Sequence, residues 1–160
     1  MTESTKKSIF HCKSVYVDLT AHAVLTLVLA YFFYVTTGSM IWSFLCVVGG
    51  IMIDVDHLVD HFCYFGPRFK IKDFMLQKSL QSGKAYVPFH SWELASLLWL
   101  SSFWVSWAIP LAVGVTGHLV IDQIGLRGDP FFYFLMYRWR CQFRCVRCKD
   151  NGGENGIKKH

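Results

Sequence analysis

Long apolar stretches separated by short polar segments are the main pattern in this chain. Residues 19–38 contain His22 but no Asp, Glu, Lys or Arg, and residues 39–53 and 94–117 contain none of these five residue types. Each stretch is long enough, or nearly so with its flanks, to cross a hydrocarbon layer of about 30 Å. The pattern therefore predicts membrane-spanning helices.

Turn-forming residues divide these stretches into helices. Gly38 permits a tight turn between a first helix that starts near Leu19 and a second that ends near His61. Residues 92–125 would form a single helix roughly 50 Å long, which is too long for one crossing, so we divide this stretch at Pro110. The predicted fold is all-α: a polytopic membrane protein with four transmembrane helices in two hairpins.

More polar segments flank and interrupt the predicted bundle of residues 19–128. Residues 1–18 form a cytoplasmic N-terminal segment. Basic and apolar residues are mixed in 68–84, which predicts an amphipathic interfacial helix. Residues 129–149 open with an Asp-Pro pair and are basic and aromatic, which predicts a second interfacial helix. Gly, Asn and Lys predominate in 150–160, and we expect disorder there.

Composition and charge support a membrane location. The chain is 53% hydrophobic and 17% aromatic, which is unusual for a soluble domain of 160 residues. Its formal net charge is +5, but the basic residues form three blocks: before the first apolar stretch, between the second and third, and after the last. The positive-inside rule then predicts that both termini are cytoplasmic. Nucleic-acid binding is not expected.

Three cysteines follow the last apolar stretch. Cys141, Cys145 and Cys148 have spacings of four and three residues, close to those of metal-binding cysteines, but no fourth ligand is evident. Because the cytoplasm keeps thiols reduced, we expect free cysteines here and assign no disulfide.

An acidic and histidine-rich octapeptide, Asp-Val-Asp-His-Leu-Val-Asp-His, follows Ile53 directly. Charged side chains at the end of a membrane-length segment are costly, so they usually mark a functional site. The residues nearest the apolar stretch are the stronger candidates for such a site: Asp54, Asp56 and His57. We expect Asp60 and His61, at the water boundary, to be solvated.

Other polar residues of the predicted helices fall at the same depth as this octapeptide. Alternating helix directions bring the following residues to one end of the bundle, near the cytoplasmic leaflet: His22, Asp54, Asp56, His57, His90, Glu93, His118 and Asp122. His118 and Asp122 are four residues apart and share a helix face. Gly114 and Gly117 beside them would let another helix approach closely.

Imidazole and carboxylate ligands together suit zinc best, with manganese or iron as alternatives, and disfavour calcium. The predicted metal ligands, enough for one or two ions, are His22, Asp54, Asp56, His57, His90, His118 and Asp122. A metal-bound water with a pKa near ~7 would supply hydroxide for hydrolysis. Glu93 is our first candidate for the general base and Asp56 the second, although Glu93 also fits a residue that favours a helix N-terminus.

The order of these motifs resembles a known family. His22 in the first segment, 49–57 closing the second, His90-Ser91 opening the third and 118–122 in the fourth are similar to the bacterial and archaeal inner-membrane metal-dependent hydrolases, including the type described as LexA-binding and membrane-associated. The resemblance covers about residues 19–128. It implies a metal site at the matching positions, hydrolytic activity and an inner-membrane location.

These observations predict a hydrolase that acts at the cytoplasmic face on a lipid-like ester or phosphoester, with membrane lipids as its surroundings. Arg68, Lys70 and Arg127 would attract an anionic headgroup. Two other classes remain open: a metal or proton transporter, since such pathways also use intramembrane His and Asp, and a non-catalytic membrane adaptor whose polar cluster only fixes helix packing.

Overall fold

The computed structural model describes residues 15–66, 85–125 and 129–144, and all the regular structure in these ranges is helical. The predicted interfacial helix at 68–84, the predicted disordered tail at 150–160 and most of the predicted N-terminal segment lie outside the described residues.

Six helices occur in the described parts of the chain. They are α1 (Val15–Thr37), α2 (Met40–Met52), α3 (Val55–Phe65), α4 (Trp92–Ser101), α5 (Ala108–Gly125) and α6 (Leu135–Arg140).

Helices α1 and α2 form the first hairpin, with the tight turn predicted at Gly38. This glycine has φ of 66°, a left-handed conformation that costs glycine little. Its amide donates to the Tyr34 carbonyl at 2.9 Å, which closes the end of α1. The Ser39 hydroxyl then accepts from the amide of Trp42 and caps α2. Local chemistry therefore fixes this turn.

The second predicted helix is interrupted after Met52. The amide of Asp54 donates to the Ile51 carbonyl at 3.1 Å, three residues back instead of the four of an α-helix. A new helix, α3, begins at Val55. The predicted second helix to about His61 is therefore present as a membrane-length segment but is interrupted at residues 53–54, where the apolar stretch meets the acidic octapeptide.

The second hairpin consists of α4 and α5, and its turn lies at 102–107 instead of at Pro110. Pro110 is the third residue of α5, where its missing amide hydrogen removes no helical hydrogen bond. With ten residues, α4 is roughly 15 Å long, which is too short to cross a membrane.

Within the described ranges, three helical segments are long and apolar enough to cross a membrane, not the four we predicted: Val17–Thr37, Met40–Cys63 and Ala108–Gly125. Their outward faces carry many exposed large apolar side chains, as expected for surfaces that meet lipid. At the α4–α5 turn, Phe103, Trp104 and Trp107 are exposed, in keeping with aromatic residues at a membrane boundary.

Helices α2 and α5 pack backbone to backbone through glycine. A Cβ atom on Gly114 would collide with the Cys46 carbonyl oxygen and lie 2.8 Å from the Gly50 nitrogen. A Cβ on Gly49 would lie 2.5 Å from the Leu111 carbonyl oxygen. The close approach that small residues permit therefore occurs at Gly114, as the sequence suggested, and it sets the distance between the two helices that carry much of the site.

Residues 129–144 cross the end of the α4–α5 hairpin where the chain enters α4. In the described part of the predicted 129–149 helix, only Leu135–Arg140 is helical. The Asp129 carboxylate accepts a hydrogen bond from the amide of Phe131. This bond stabilises a turn at the start of the segment, where we had predicted the start of a long helix. Positive φ values at Gln142 and Phe143 follow the end of α6.

Cys141 also differs from our expectation, since it is disulfide-bonded. Its partner lies outside the described residues, because the other two described cysteines, Cys46 and Cys63, are free. A disulfide is unusual in a reducing cytoplasm, so this bond does not fit the predicted cytoplasmic location of the C-terminal segment. That location stays a prediction.

Candidate metal centre

Histidine and aspartate side chains gather at one end of the helical bundle, as predicted. They form three overlapping groups whose potential ligand atoms lie within 4.8 Å of one another: His22, His118 and Asp122; Asp54, His90 and His118; Asp56, His57 and His90. All seven residues predicted as metal ligands belong to these groups. Such groups could hold a metal ion, and the contacts around each imidazole decide where.

The interruption between α2 and α3 orients His118. Because the Asp54 amide donates to the Ile51 carbonyl, the Gly50 carbonyl is available to a side chain. Nδ1 of His118 lies 2.8 Å from the Gly50 oxygen, and a carbonyl can only accept, so Nδ1 carries the proton. The close packing at Gly114 brings α5 near enough for this bond. The free lone pair of neutral His118 is then on Nε2.

Asp56 orients His90 in the same way. Nδ1 of His90 lies 2.8 Å from Oδ1 of Asp56, and Oδ2 of Asp56 accepts from the amides of Phe89 and His90 at 2.8 and 3.1 Å. Both residues are buried, with Asp56 at 0% exposure and His90 at 1%. Asp56 therefore fixes the ring of His90 and the turn that carries it. This arrangement is typical of a carboxylate that supports a metal-binding histidine.

The charge around His90 favours a cation. Burial alone would lower the pKa of this imidazole, but hydrogen bonds with Asp54 and Asp56 raise it to about 9. The local field therefore stabilises a positive charge at the ring, either a proton or a metal ion.

His22 is the third oriented imidazole. Its Nδ1 lies 2.8 Å from the Asp18 carbonyl oxygen, one turn earlier in α1, so Nδ1 is again the donor. Nε2 lies 3.0 Å from Oδ1 of Asp122. His22 therefore extends the cluster on the α1 side through the carboxylate oxygen of Asp122 that faces away from the other imidazoles.

Two imidazole nitrogens and two carboxylate oxygens meet at the centre of the cluster, at separations near those between the ligands of a metal ion. The Nε2 atoms of His90 and His118 are 3.2 Å apart. Oδ1 of Asp54 lies 3.5 and 3.4 Å from these two nitrogens, and Oδ2 of Asp122 lies 3.5 and 3.6 Å from them. Metal–ligand distances of about 2.0–2.2 Å in a tetrahedron give ligand–ligand edges of about 3.3–3.6 Å. Four of these five separations fall in this range, and the Nε2–Nε2 separation of 3.2 Å lies just below it.

Asp54 and His57 lie on the solvent side of the cluster. The side chain of Asp54 is 41% exposed and that of His57 25%, and Nε2 of His57 lies 3.9 Å from Oδ1 of Asp54. The side chains of His90 and His118 are 2% and 1% exposed. Access to the central atoms is therefore from the Asp54–His57 side.

Glu93, our first candidate for the general base, binds elsewhere. Its two carboxylate oxygens accept from the amides of Leu135 and Met136 at 2.9 and 3.0 Å, at the start of α6. Partial burial would raise the pKa of Glu93, but these two amides outweigh that effect and lower it below its usual range. The alternative that we kept open was a carboxylate that stabilises a helix N-terminus. The contacts of Glu93 fit this alternative, although the two amides belong to the start of α6 and Glu93 itself lies on α4.

His61 differs from our expectation of a solvated residue, since it is only 1% exposed. It lies on α3, outside the three groups. The side chain of Asp60 lies outside the described part of the chain.

Two kinds of group that position the imidazoles of the site were not predicted from the sequence. The carbonyls of Asp18 and Gly50 orient imidazoles, and only the first had a sequence signal, because it precedes His22 by one helical turn. The second missed contributor is Arg138, a buried arginine whose guanidinium binds the His90 carbonyl. The sequence does not distinguish Arg138 from its exposed neighbour Arg140.

No protein-family model, curated protein or solved structure matches this chain. The interpretation of the cluster therefore depends on its own geometry.

Proposed function

We propose that this protein is a membrane-embedded, metal-dependent hydrolase whose ion is bound by His90, His118, Asp54 and Asp122. The observation that carries the proposal is the 3.2 Å separation of the His90 and His118 Nε2 atoms, which face two carboxylate oxygens. With the Nδ1 protons committed to Asp56 and Gly50, the two Nε2 atoms face two carboxylate oxygens at a position that favours a positive charge. We assign that charge to a metal ion, because two imidazoles and two carboxylates form a ligand set typical of metal sites.

Zinc is the metal that best fits this group. It prefers four ligands in a tetrahedron and accepts imidazole nitrogen and carboxylate oxygen, whereas manganese and iron sites commonly take further ligands. His22, with the second oxygen of Asp122, offers ligands for a second ion on the α1 side. We therefore propose one zinc ion bound by the central group. If the protein contains more than one metal ion per chain, the second ion is assigned to the site at His22.

Different residues of the chain would have different roles in hydrolysis. A bound divalent ion supplies a water with a pKa near ~7 and a Lewis acid for the substrate oxygen. Asp56 holds His90 in the tautomer that directs Nε2 inward, and Gly50 does the same for His118. His57, partly exposed beside Asp54, is the group placed to accept the proton of an attacking water. This role replaces the one we first gave to Glu93.

A lipid-like ester or phosphoester at the cytoplasmic face is the proposed substrate class. The Asp54–His57 side of the cluster lies in the second half of the Met40–Cys63 segment, and the side chains of Asp54 and His57 are partly exposed there. The motif order resembles that of the inner-membrane metal-dependent hydrolases, which supports the same reaction class. The basic residues proposed to attract an anionic headgroup, Arg68, Lys70 and Arg127, lie outside the described residues.

Transport is the main competing class, and the distribution of polar residues argues against it. A pathway for metal ions or protons needs ionisable groups at several depths. Residues 23–53 and 94–117 contain no Asp, Glu, His, Lys or Arg, so these groups are confined to one end of the helices. A non-catalytic adaptor would retain the cluster without binding metal, which makes metal content the decisive measurement.

The test is elemental analysis of detergent-purified protein after reconstitution with zinc. Wild type should contain about one ion per chain, and the Asp54→Ala and His118→Ala variants should lose most of it, because a site of this kind is normally tight. Glu93→Gln is the matched control and should keep the wild-type content, since Glu93 belongs to none of the three ligand groups and its oxygens bind the amides of Leu135 and Met136. Less than about 0.2 ion per chain in wild type would refute the metal site.

Hydrolysis is then measured in mixed micelles with a chromogenic carboxylic ester and a chromogenic phosphodiester. Activity on one of them should disappear on chelation and return with zinc. A metal-loaded protein that cleaves neither substrate, nor phospholipid in vesicles, would refute the hydrolase and leave a metal site without hydrolytic activity.

A further inference from the structure

Arg138 on α6 is buried almost completely, at 1% exposure, and donates to three backbone carbonyls. Its Nη1 donates to the carbonyl oxygens of Tyr86 and Val87 at 3.1 and 2.8 Å, and its Nη2 donates to that of His90 at 2.7 Å. The guanidinium carbon also lies 5.7 Å from the centre of the Phe132 ring. Burying an arginine is costly unless it is well hydrogen-bonded, so these contacts account for its position.

The turn at 85–90 is held from two sides by opposite charges. Asp56 binds the amides of Phe89 and His90, while Arg138 binds carbonyls of the same turn. An anion on amide hydrogens and a cation on carbonyl oxygens each make charge-assisted hydrogen bonds, which are roughly twice as strong as neutral ones. His90 is the residue that both charges contact, Asp56 through its ring and amide and Arg138 through its carbonyl.

From these contacts we propose that Arg138 is a positioning residue that fixes the backbone of His90 and so sets the geometry of the metal centre. The inference rests on the proposed metal-binding function. The ring of His90 is held through Nδ1, but the ring moves with its backbone, and the backbone carbonyl of His90 is bound by Arg138. Without Arg138, the turn would keep Asp56 and the bond from the Ala85 amide to the Phe143 carbonyl, but neither of these contacts holds the carbonyl of His90.

A purely electrostatic role for Arg138 predicts the opposite result. A buried cation near a metal site repels the metal ion, so its removal should tighten metal binding. A positioning role predicts weaker binding, because loss of a residue that supports a metal-binding histidine typically lowers metal affinity by about 10–100-fold. The direction of the change therefore separates the two roles.

The experiment uses Co²⁺ as a spectroscopic probe in the full-length, detergent-purified protein. Visible absorption bands report a tetrahedral shell, and their titration gives the affinity. The variants are Arg138→Ala and Arg138→Lys, with Arg140→Ala and Arg140→Lys as matched controls, because Arg140 is an exposed arginine on the same helix. Thermal unfolding of the metal-free proteins checks that each variant is folded.

We expect Arg138→Ala to lower the Co²⁺ affinity by about tenfold or more and to change the band intensity. Arg138→Lys should show a smaller loss, because lysine keeps the charge but lacks the planar fork of donors. Both Arg140 variants should match wild type. If Arg138→Ala does not fold, the comparison of Arg138→Lys with Arg140→Lys decides the question.

Unchanged or tighter Co²⁺ binding in the folded Arg138 variants would overturn the positioning role while leaving the metal site intact. Equal losses at Arg138 and Arg140 would also overturn it, since they would indicate a general effect of substitutions in α6. If wild type itself gives no Co²⁺ spectrum, the metal site fails first and the role of Arg138 falls with it.

Discussion

Replacing Gly114 with alanine tests whether the α2–α5 contact builds the site. The new methyl group would collide with the Cys46 carbonyl oxygen and lie 2.8 Å from the Gly50 nitrogen. Both obstacles are backbone atoms of α2, so no side-chain rotation relieves them. Restoring contacts of about 3.5 Å requires the two helices to move apart by roughly 1 Å.

Such a movement has two consequences for stability. Overpacking at a well-packed contact costs about 1–3 kcal/mol. The bond between His118 and the Gly50 carbonyl, now 2.8 Å, would lengthen beyond hydrogen-bonding range and cost about 1 kcal/mol more. The higher helix propensity of alanine offsets about 1 kcal/mol of this loss in the free energy of unfolding. The net loss in the free energy of unfolding should be about 1–3 kcal/mol, with a fall in melting temperature of about 2–12 °C.

The assay is thermal unfolding of the metal-free protein in detergent, followed by titration with zinc. Gly117→Ala is the matched control: it makes the same change on the same helix, but its methyl group would meet the end of the Leu29 side chain at 2.8 Å, which can rotate away. We expect Gly117→Ala to be within about 1 kcal/mol of wild type and to bind zinc normally. Equal stability and zinc affinity in the two variants would refute the backbone contact and its role in placing His118.

Two further predictions concern residues beside the cluster. His57→Ala should keep zinc near the wild-type level but lower the hydrolysis rate by about 10²–10⁴-fold, whereas His118→Ala should lose the metal itself. Parallel zinc analysis and rate measurements distinguish these outcomes. Loss of zinc in His57→Ala would show that His57 is a metal ligand and not the general base. Because the pKa of Glu93 lies below its ordinary value of 4.5, its ionised form stabilises the contact with α6 at pH above about 4.5, and this stabilisation is lost as the pH falls through the lowered pKa. Protection factors of the Leu135 and Met136 amides, which are corrected for the intrinsic pH dependence of exchange, should therefore fall on acidification in wild type. Glu93→Gln should show lower protection throughout with little added acid dependence, and identical profiles would contradict the assigned contact.

The general plan of the molecule could be predicted from the positions of apolar and ionisable residues. Gly38 marks the first turn because its left-handed conformation is readable from residue type and context. Ionisable residues confined to the ends of apolar stretches had to meet once the helices formed hairpins, which is why His22, the Asp54 octapeptide and His118 come together. These are consequences of chain direction and helix length, and they need no knowledge of side-chain contacts.

What could not be predicted depends on contacts between segments far apart in sequence. Glu93 looked like a base because it lay at the right depth, but its oxygens bind amides more than forty residues later. Pro110 suggested a helix boundary, yet a proline is equally acceptable in a first helical turn, so the residue type alone did not fix the boundary. Arg138 became distinct from Arg140 only through the carbonyls it meets.

The three oriented imidazoles give the strongest argument that the cluster exists to hold a cation. The Nδ1 atoms of His22, His90 and His118 each have a different acceptor, from three separate parts of the chain, so their orientation does not depend on one another. Holding three imidazoles with Nε2 directed towards carboxylates is costly in a buried place, since charges removed from water cost several kcal/mol each unless compensated. A packing role for the cluster could be met by apolar residues at lower cost. A bound cation supplies the missing compensation, which is why metal content is the measurement that decides between a metal centre and a structural polar cluster.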